Sequence, residues 1–189
     1  QVKLIDAAPI GINVCSTVAT YANVHDLLRK TFAKLPEAKQ AGYKAGDFSY
    51  NTGKLRCPVC DGTGVISLDV QFLPDVDIPC PECRGSRYAR EAYEIKYHME
   101  ESAVRRKKKN EAESLQTDKA VAVSTQMRET AFSLPELMSM DVNTALTVCK
   151  GMKTVCQRLE VLKELGLGYL TLGEETPGLS GGEAQRLKL

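Results

Sequence analysis

The chain has 189 residues, with 25 Lys plus Arg against 24 Asp plus Glu, for a formal net charge of +1. Hydrophobic residues make up 43% and charged residues 26%, ordinary for a globular chain, and near-neutrality excludes a strongly basic nucleic-acid coat while allowing a local basic patch. No apolar run approaches the roughly 18 residues of a membrane span, so no membrane partner is expected, and the cytoplasm is the expected compartment.

The sequence begins at Gln1 with no basic-then-apolar leader and stops at LSGGEAQRLKL, inside a predicted helix, so it reads as a piece of a larger protein. Residues 1–20 mix apolar and small side chains around a Pro9-Ile10-Gly11 turn signal. Apolar residues at 24, 27, 28 and 32 fall at helical spacing and predict a helix over 24–34. Pro36 restarts the chain into a short helix, and Gly42 and Gly46 bound the loop that follows. Residues 47–98 change character: FSYNTGKLRCPVCDGTG, the alternating VISLDVQFLPDV, CPECRGSR and YAREAYEIKYH predict short β segments around a metal site.

Residues 99–132 change again. A run of five positive charges, Arg105 to Lys109, sits among acidic and small polar residues with no sustained apolar face. A solvated helix or loop is the default there, ahead of a nucleic-acid contact. Ser133-Leu134-Pro135-Glu136 is a capping-box pattern with Pro in the first turn, predicting a helix of one or two turns. Asp141 caps a helix carrying Val142, Ala145, Leu146 and Cys149. A longer helix is predicted over 152–165, with Val155, Leu159 and Leu162 on one face and Gly166 as its stop, and GYLTL at 168–172 is predicted as a strand. The chain thus divides into 1–46, 47–98, 99–132 and 133–189.

Four of the seven cysteines form the pattern CxxC-x19-CxxC: Cys57, Cys60, Cys80 and Cys83. Four thiolates suit tetrahedral zinc, and with four protein ligands no position stays open for substrate, so the ion is a structural staple. A redox pair or an iron–sulfur cluster are the rivals, and a redox pair leaves the second CxxC unexplained. CDGTG and CRGS each place a glycine two residues after the second cysteine of a pair, where a tight turn often needs positive φ. The loop over 64–79 carries Phe72, Leu73 and Pro74, as core or as a contact tip, with core the default. Cys149 and Cys156, seven apart on a helical pattern, read as small buried residues before a second metal site. Cys15, His25 and His98 have no partners at ligand spacing.

Near the end stand Leu179-Ser180-Gly181-Gly182-Glu183-Ala184-Gln185-Arg186. Ser180 and Glu183 form a capping box, and two glycines leave backbone amides open at a helix N-terminus, which favours an anionic phosphate. An ordinary capped helix is the alternative. The full string LSGGEAQR resembles the signature motif of ATP-binding-cassette ATPases, in which the serine and second glycine contact the γ-phosphate of ATP held by the opposing nucleotide-binding domain. That resemblance implies nucleotide-binding roles for Ser180, Gly181, Gly182, Glu183 and Gln185. The sequence contains no GxxxxGK[ST] loop and no acidic Walker-B strand after the signature, so the chain alone is not expected to hydrolyse ATP.

CPVCDGTG, FLPDV, CPECRGSRY, LGLGYLTLG and LSGGEAQRLKL together resemble the UvrA family of excinuclease proteins, in its C-terminal nucleotide-binding half. The resemblance covers most of the chain outside 99–132. It implies an α+β architecture: a helical signature subdomain, an inserted zinc-bound β module and part of an ATPase core. It also implies ATP-dependent recognition of lesion-bearing double-stranded DNA in nucleotide excision repair, with Zn2+ as structural metal and ATP with Mg2+ in the parent protein. The implied partners are a second copy of the parent and a UvrB-like protein. A basic surface near the cysteines would serve DNA, with Lys54, Arg56, Arg84, Arg87 and Arg90 as candidates, or these residues brace the knuckles.

Departures from the family pattern DQSPIGRTPRSNPATY are local. Ala7 stands in place of the Q-loop glutamine, Ile12 in place of Arg, Val14-Cys15 in place of Pro-Arg, and Val18 in place of Pro. They point to reduced ATPase competence and a divergent paralogue, with drug or toxin tolerance as an alternative role. CxxCxGxG knuckles also resemble the cysteine-rich region of DnaJ-type chaperones, but that reading leaves the signature string unexplained. A transport-type cassette ATPase is a third reading, opposed by the zinc insert.

Overall fold

The computed structural model describes residues 10, 15–68, 76–99 and 131–189. The expectations placed on Ala7, Ile12, Val14, Phe72, Leu73, Pro74 and the basic run at 105–109 lie outside these residues.

Local capping chemistry sets most helix starts. Thr17 opens α1 (Val18–Tyr21) by a reciprocal box with Thr20, whose hydroxyl accepts from the Thr17 amide at 2.8 Å. Helix α2 (Val24–Phe32) buries Val24, His25, Leu28 and Phe32, and α3 (Pro36–Gln40) starts on its proline. Ser133 and Glu136 box the start of α4 (Leu134–Met138), the Ser133 amide donating to Glu136 Oε2 at 2.7 Å. Asp141 Oδ1 accepts from the Thr144 amide at 2.9 Å to start α5 (Val142–Val148). Helix α6 (Lys153–Glu164) buries Val155, Leu159 and Leu162, and Gly166 ends it at φ 72° while the Leu167 amide reaches back to Leu162 O at 3.0 Å. Helix α7 (Gly181–Leu187) carries the signature string.

The β structure among the described residues is two short antiparallel pairs. Strands β1 (Val65–Leu68) and β2 (Val76–Pro79) pair with Val65 opposite Pro79 and Leu68 opposite Val76. A 3₁₀ turn over Arg90–Tyr93 leads to β3 (Lys96–His98), which pairs with β4 (Ala131–Ser133). The result is a mixed helical and small-sheet fold.

Helices from both ends of the sequence share one core. Helix α2 packs on α6 and α4, and α6 packs on α5. Leu28, Phe32, Leu134, Leu137 and Leu159 are fully buried there, each contributing about 1.5–3 kcal/mol of apolar transfer. The segment after the first helices supplies the aromatics Phe48, Tyr50 and Tyr88, with Phe32 and Phe48 centroids 6.2 Å apart.

The predicted strand at 168–172 is corrected. Only an isolated bridge, Asp141 to Thr171, forms there. The Leu170 amide turns back to Leu167 O at 3.2 Å, breaking the extended run. Leu167, Leu170 and Leu172 are buried, and the carbonyls of Gly168 and Leu170 accept the Asn143 and Val142 amides at the start of α5. The segment thus spends its backbone bonds on a helix terminus.

Candidate metal centre and signature helix

The two CxxC pairs sit on matching turns joined by a short ladder. Arg56 bridges Tyr88, the Cys57 amide donates to Arg87 O at 2.9 Å, and the Ala89 amide to Leu55 O at 2.9 Å. The β1–β2 hairpin connects the pairs on the other side, where the Cys80 amide donates to Gly64 O at 2.9 Å. Gly62 allows a close approach: with φ 81°, a Cβ there would stand 1.7 Å from Tyr50 O.

This scaffold brings Cys57, Cys60, Cys80 and Cys83 together, all buried, with their sulfurs within 4.8 Å of one another. Cys57 and Cys80 sulfurs are 3.9 Å apart, and Cys60 and Cys83 sulfurs 3.6 Å. Four thiolates at about 2.3 Å from one tetrahedral ion stand about 3.8 Å apart, whereas a disulfide needs about 2.05 Å. The quartet therefore fits a single ion. Backbone amides support the thiolate form: that of Gly64 donates to Cys60 Sγ at 3.3 Å, and those of Cys83 and Glu82 bring the Cys80 thiol down to about 7. Burial pushes Cys83 up to about 12. No other group of three or more ligand-type residues gathers among the described residues. Cys149 is buried and Cys156 donates its thiol hydrogen to Cys149 O at 2.9 Å, which is packing.

The signature residues lie at the surface. Ser180, Gly181, Gly182 and Gln185 are exposed, Glu183 is half-buried, and a Cβ on either glycine would meet nothing within 4 Å. The Ser180 amide and hydroxyl both donate to Glu183 Oε2 at 2.7 Å, closing the expected box. Two partners were not legible in the sequence. Tyr169 OH donates to Glu183 Oε1, a bond that leads in holding the Glu183 carboxyl below its usual range. Arg186 donates to Leu165 O and Gly166 O, each at 3.3 Å, so the signature helix caps the end of α6.

The candidate basic residues divide. Lys54 and Arg84 are exposed. Arg56 pairs with Asp61 at 3.2 Å and Arg90 with Glu82 at 2.8 Å, both at the surface. Arg87 is only 5% exposed and its guanidinium faces Glu175, not solvent.

No protein-family model matches the chain. UvrABC system protein A of Aquifex aeolicus is 40% identical over 185 residues, which are 98% of this chain and 16% of that protein. UvrABC system protein A of Clostridium acetobutylicum is 39% identical over 189 residues, 99% of this chain and 17% of that protein. The chain is homologous to a segment of the UvrA family. The crystal structure of UvrA2 from Deinococcus radiodurans gives a TM-score of 0.74 at 35% identity, covering 97% of this chain and 19% of that one. The chain therefore spans about one sixth of the length of its curated UvrA relatives. No helix among the described residues is long and apolar enough to cross a membrane.

Proposed function

We propose that the chain is the part of a UvrA-like, ATP-dependent DNA-damage recognition protein that holds a structural zinc ion and supplies the signature half of a composite ATP site. The observation that carries the reading is the presence together of a closed four-thiol site, which forms its own small buried cluster, and an exposed signature helix seated on the main core. Cys57, Cys60, Cys80 and Cys83 hold the Zn2+, which fixes the hairpin and knuckles and leaves no coordination site for chemistry. The domain plan is a helical signature subdomain over 133–189, a zinc module over 47–98, a preceding segment over 1–46 and a polar charged insert or linker over 99–132, with part of an ATPase core.

Ser180, Gly181 and Gly182 meet the γ-phosphate of ATP bound with Mg2+ by an opposing nucleotide-binding domain, and Glu183 and Gln185 complete that surface. Glu183 holds Ser180 in place through the capping box. Lys54, Arg56, Arg84 and Arg90 give the zinc module a cationic face toward duplex phosphates, with Asp61 and Glu82 as the ion-pair partners that DNA displaces from Arg56 and Arg90. The parent protein works in the cytoplasm as a dimer and passes lesion-bearing DNA to a UvrB-like partner. Ala7 at the Q-loop position assigns it to a divergent branch with weak turnover in this half.

The test uses the full-length parent. Its affinity for lesion-bearing and undamaged duplexes is measured with ATP at two salt concentrations. Lesion preference, lost on Cys80→Ser with Cys83→Ser in protein that stays folded, supports the reading. Four phosphate contacts predict an affinity loss on the order of a hundredfold for about a fourfold rise in salt. Equal affinity for both duplexes refutes damage recognition.

A further inference from the structure

Each CxxC pair leads into the same backbone turn, and the two turns correspond position by position at an offset of 23 residues. The Thr63 amide donates to Cys60 O at 3.0 Å, and the Ser86 amide to Cys83 O at 3.0 Å. Asp61 and Arg84 have φ of 50° and 51°, and Gly62 and Gly85 have φ of 81° and 88°. Two positions further the chemistry breaks. Gly64 has φ 83°, but its counterpart, at φ 72°, is Arg87. A residue with a Cβ is disfavoured in the left-handed region and persists there when its surroundings require it.

The side chain supplies the requirement. Arg87 crosses from the second knuckle to the opposite part of the fold, where Nη2 donates to Glu175 Oε1 at 2.5 Å and Cζ lies 5.2 Å from the centre of the Tyr50 ring. Tyr50 in turn donates to Cys15 O at 3.0 Å and lies 3.1 Å from the Thr17 hydroxyl, and Thr17 bridges Glu175. Glu175 immediately precedes the 3₁₀ turn Thr176–Gly178, which runs into Leu179 and the cap Ser180. A cleft of about 600 Å³ lies between the second knuckle and α4, with Arg87, Thr171 and Gly173 in its walls.

We infer that Arg87 is a positioning residue that couples the cysteine knuckles to the segment leading into the signature helix. This inference rests on the reading of the four cysteines as a zinc site. An ordered knuckle holds the Arg87 backbone left-handed through the Cys57 amide, and that backbone aims the guanidinium at Glu175. Loss of the ion releases the turn, lets φ relax, and withdraws the cation from the segment that presents Ser180. The metal thus acts on the nucleotide surface through one side chain.

The test is hydrogen exchange of amides in 174–187 on the 189-residue chain, zinc-loaded and after chelation, together with zinc content. Chelation of the unaltered chain accelerates exchange in this segment about tenfold, the scale of losing one charge-assisted contact. Arg87→Gly restores glycine to the left-handed position, so it keeps one zinc per chain yet shows the accelerated exchange while loaded. Glu175→Gln, far from the cysteines in sequence, gives the same result, and the double variant goes no further than either single one. Chelation then changes exchange in 174–187 little in any variant. Protected exchange in loaded Arg87→Gly, or additive effects in the double variant, overturns the coupling. Loss of zinc from Arg87→Gly also overturns it, by showing that the arginine serves the knuckle itself. An unaltered chain that takes up no zinc refutes the zinc reading, while non-additivity of the two variants still decides the ion pair.

Discussion

Tyr88 links three parts of the chain through one hydroxyl. It is 1% exposed, donates to Phe48 O at 3.1 Å, and lies 2.8 Å from His25 Nε2, so the imidazole hydrogen sits on Nε2 and points at the phenol oxygen. Tyr88→Phe keeps the ring and its edge-on contact with Tyr50, 5.9 Å between centroids, and removes the oxygen alone. A buried carbonyl and a buried N–H then lose their partner together. Each such loss costs about 1–3 kcal/mol, so the variant is expected to be about 2–6 kcal/mol less stable. Urea unfolding read by circular dichroism measures this as a shift in midpoint at constant slope. Tm falls by roughly 10 °C for a chain of this length. Zinc content is unchanged, because Tyr88 contributes no ligand atom. A loss below about 0.5 kcal/mol refutes the reasoning, since it means that water or relaxation satisfies both groups at no cost.

Burial first, and Arg29 second, lower His25 to about 4 from the usual 6.5. The unfolded chain then binds the extra proton between those values, so stability falls as pH drops, by about 2 kcal/mol at pH 5; His25→Phe flattens that dependence in urea titrations. The knuckle glycines are not equivalent. Gly62→Ala drives a Cβ into Tyr50 O and is expected to abolish zinc retention, whereas Gly85→Ala, with nothing within 4 Å, costs only about 1–2 kcal/mol of left-handed strain; equal losses refute the contrast. Ser180→Ala removes the cap of α7 and costs about 1 kcal/mol, seen as faster amide exchange over 181–187 with zinc content intact.

What the sequence disclosed was local. Ser133 with Glu136, Ser180 with Glu183, Asp141 and Pro36 start their helices as their spacing implies, because a cap involves residues three apart. The four cysteines converge because ligand chemistry narrows what two CxxC pairs can do. The run GYLTL failed as a strand because its apolar residues serve a core and its carbonyls serve α5. Arg87 was equally illegible: it resembles its basic neighbours until Glu175, 88 residues away, is brought to it. The sequence offered one oblique signal, the arginine standing where the first knuckle has Gly64.

The pairing of β3 with β4 carries a consequence for how this protein can change. His98 and Ala131 are register partners, so two residues 33 apart in sequence are held side by side. At the other end of the same ladder Lys96 pairs with Ser133, and Ser133 is also the residue whose side chain caps α4. A one-residue slip of β4 against β3 turns every side chain of the strand to the opposite face. Because the last strand residue doubles as a helix cap, such a slip displaces a helix start as well as a strand, so substitutions in this short ladder act on two elements at once.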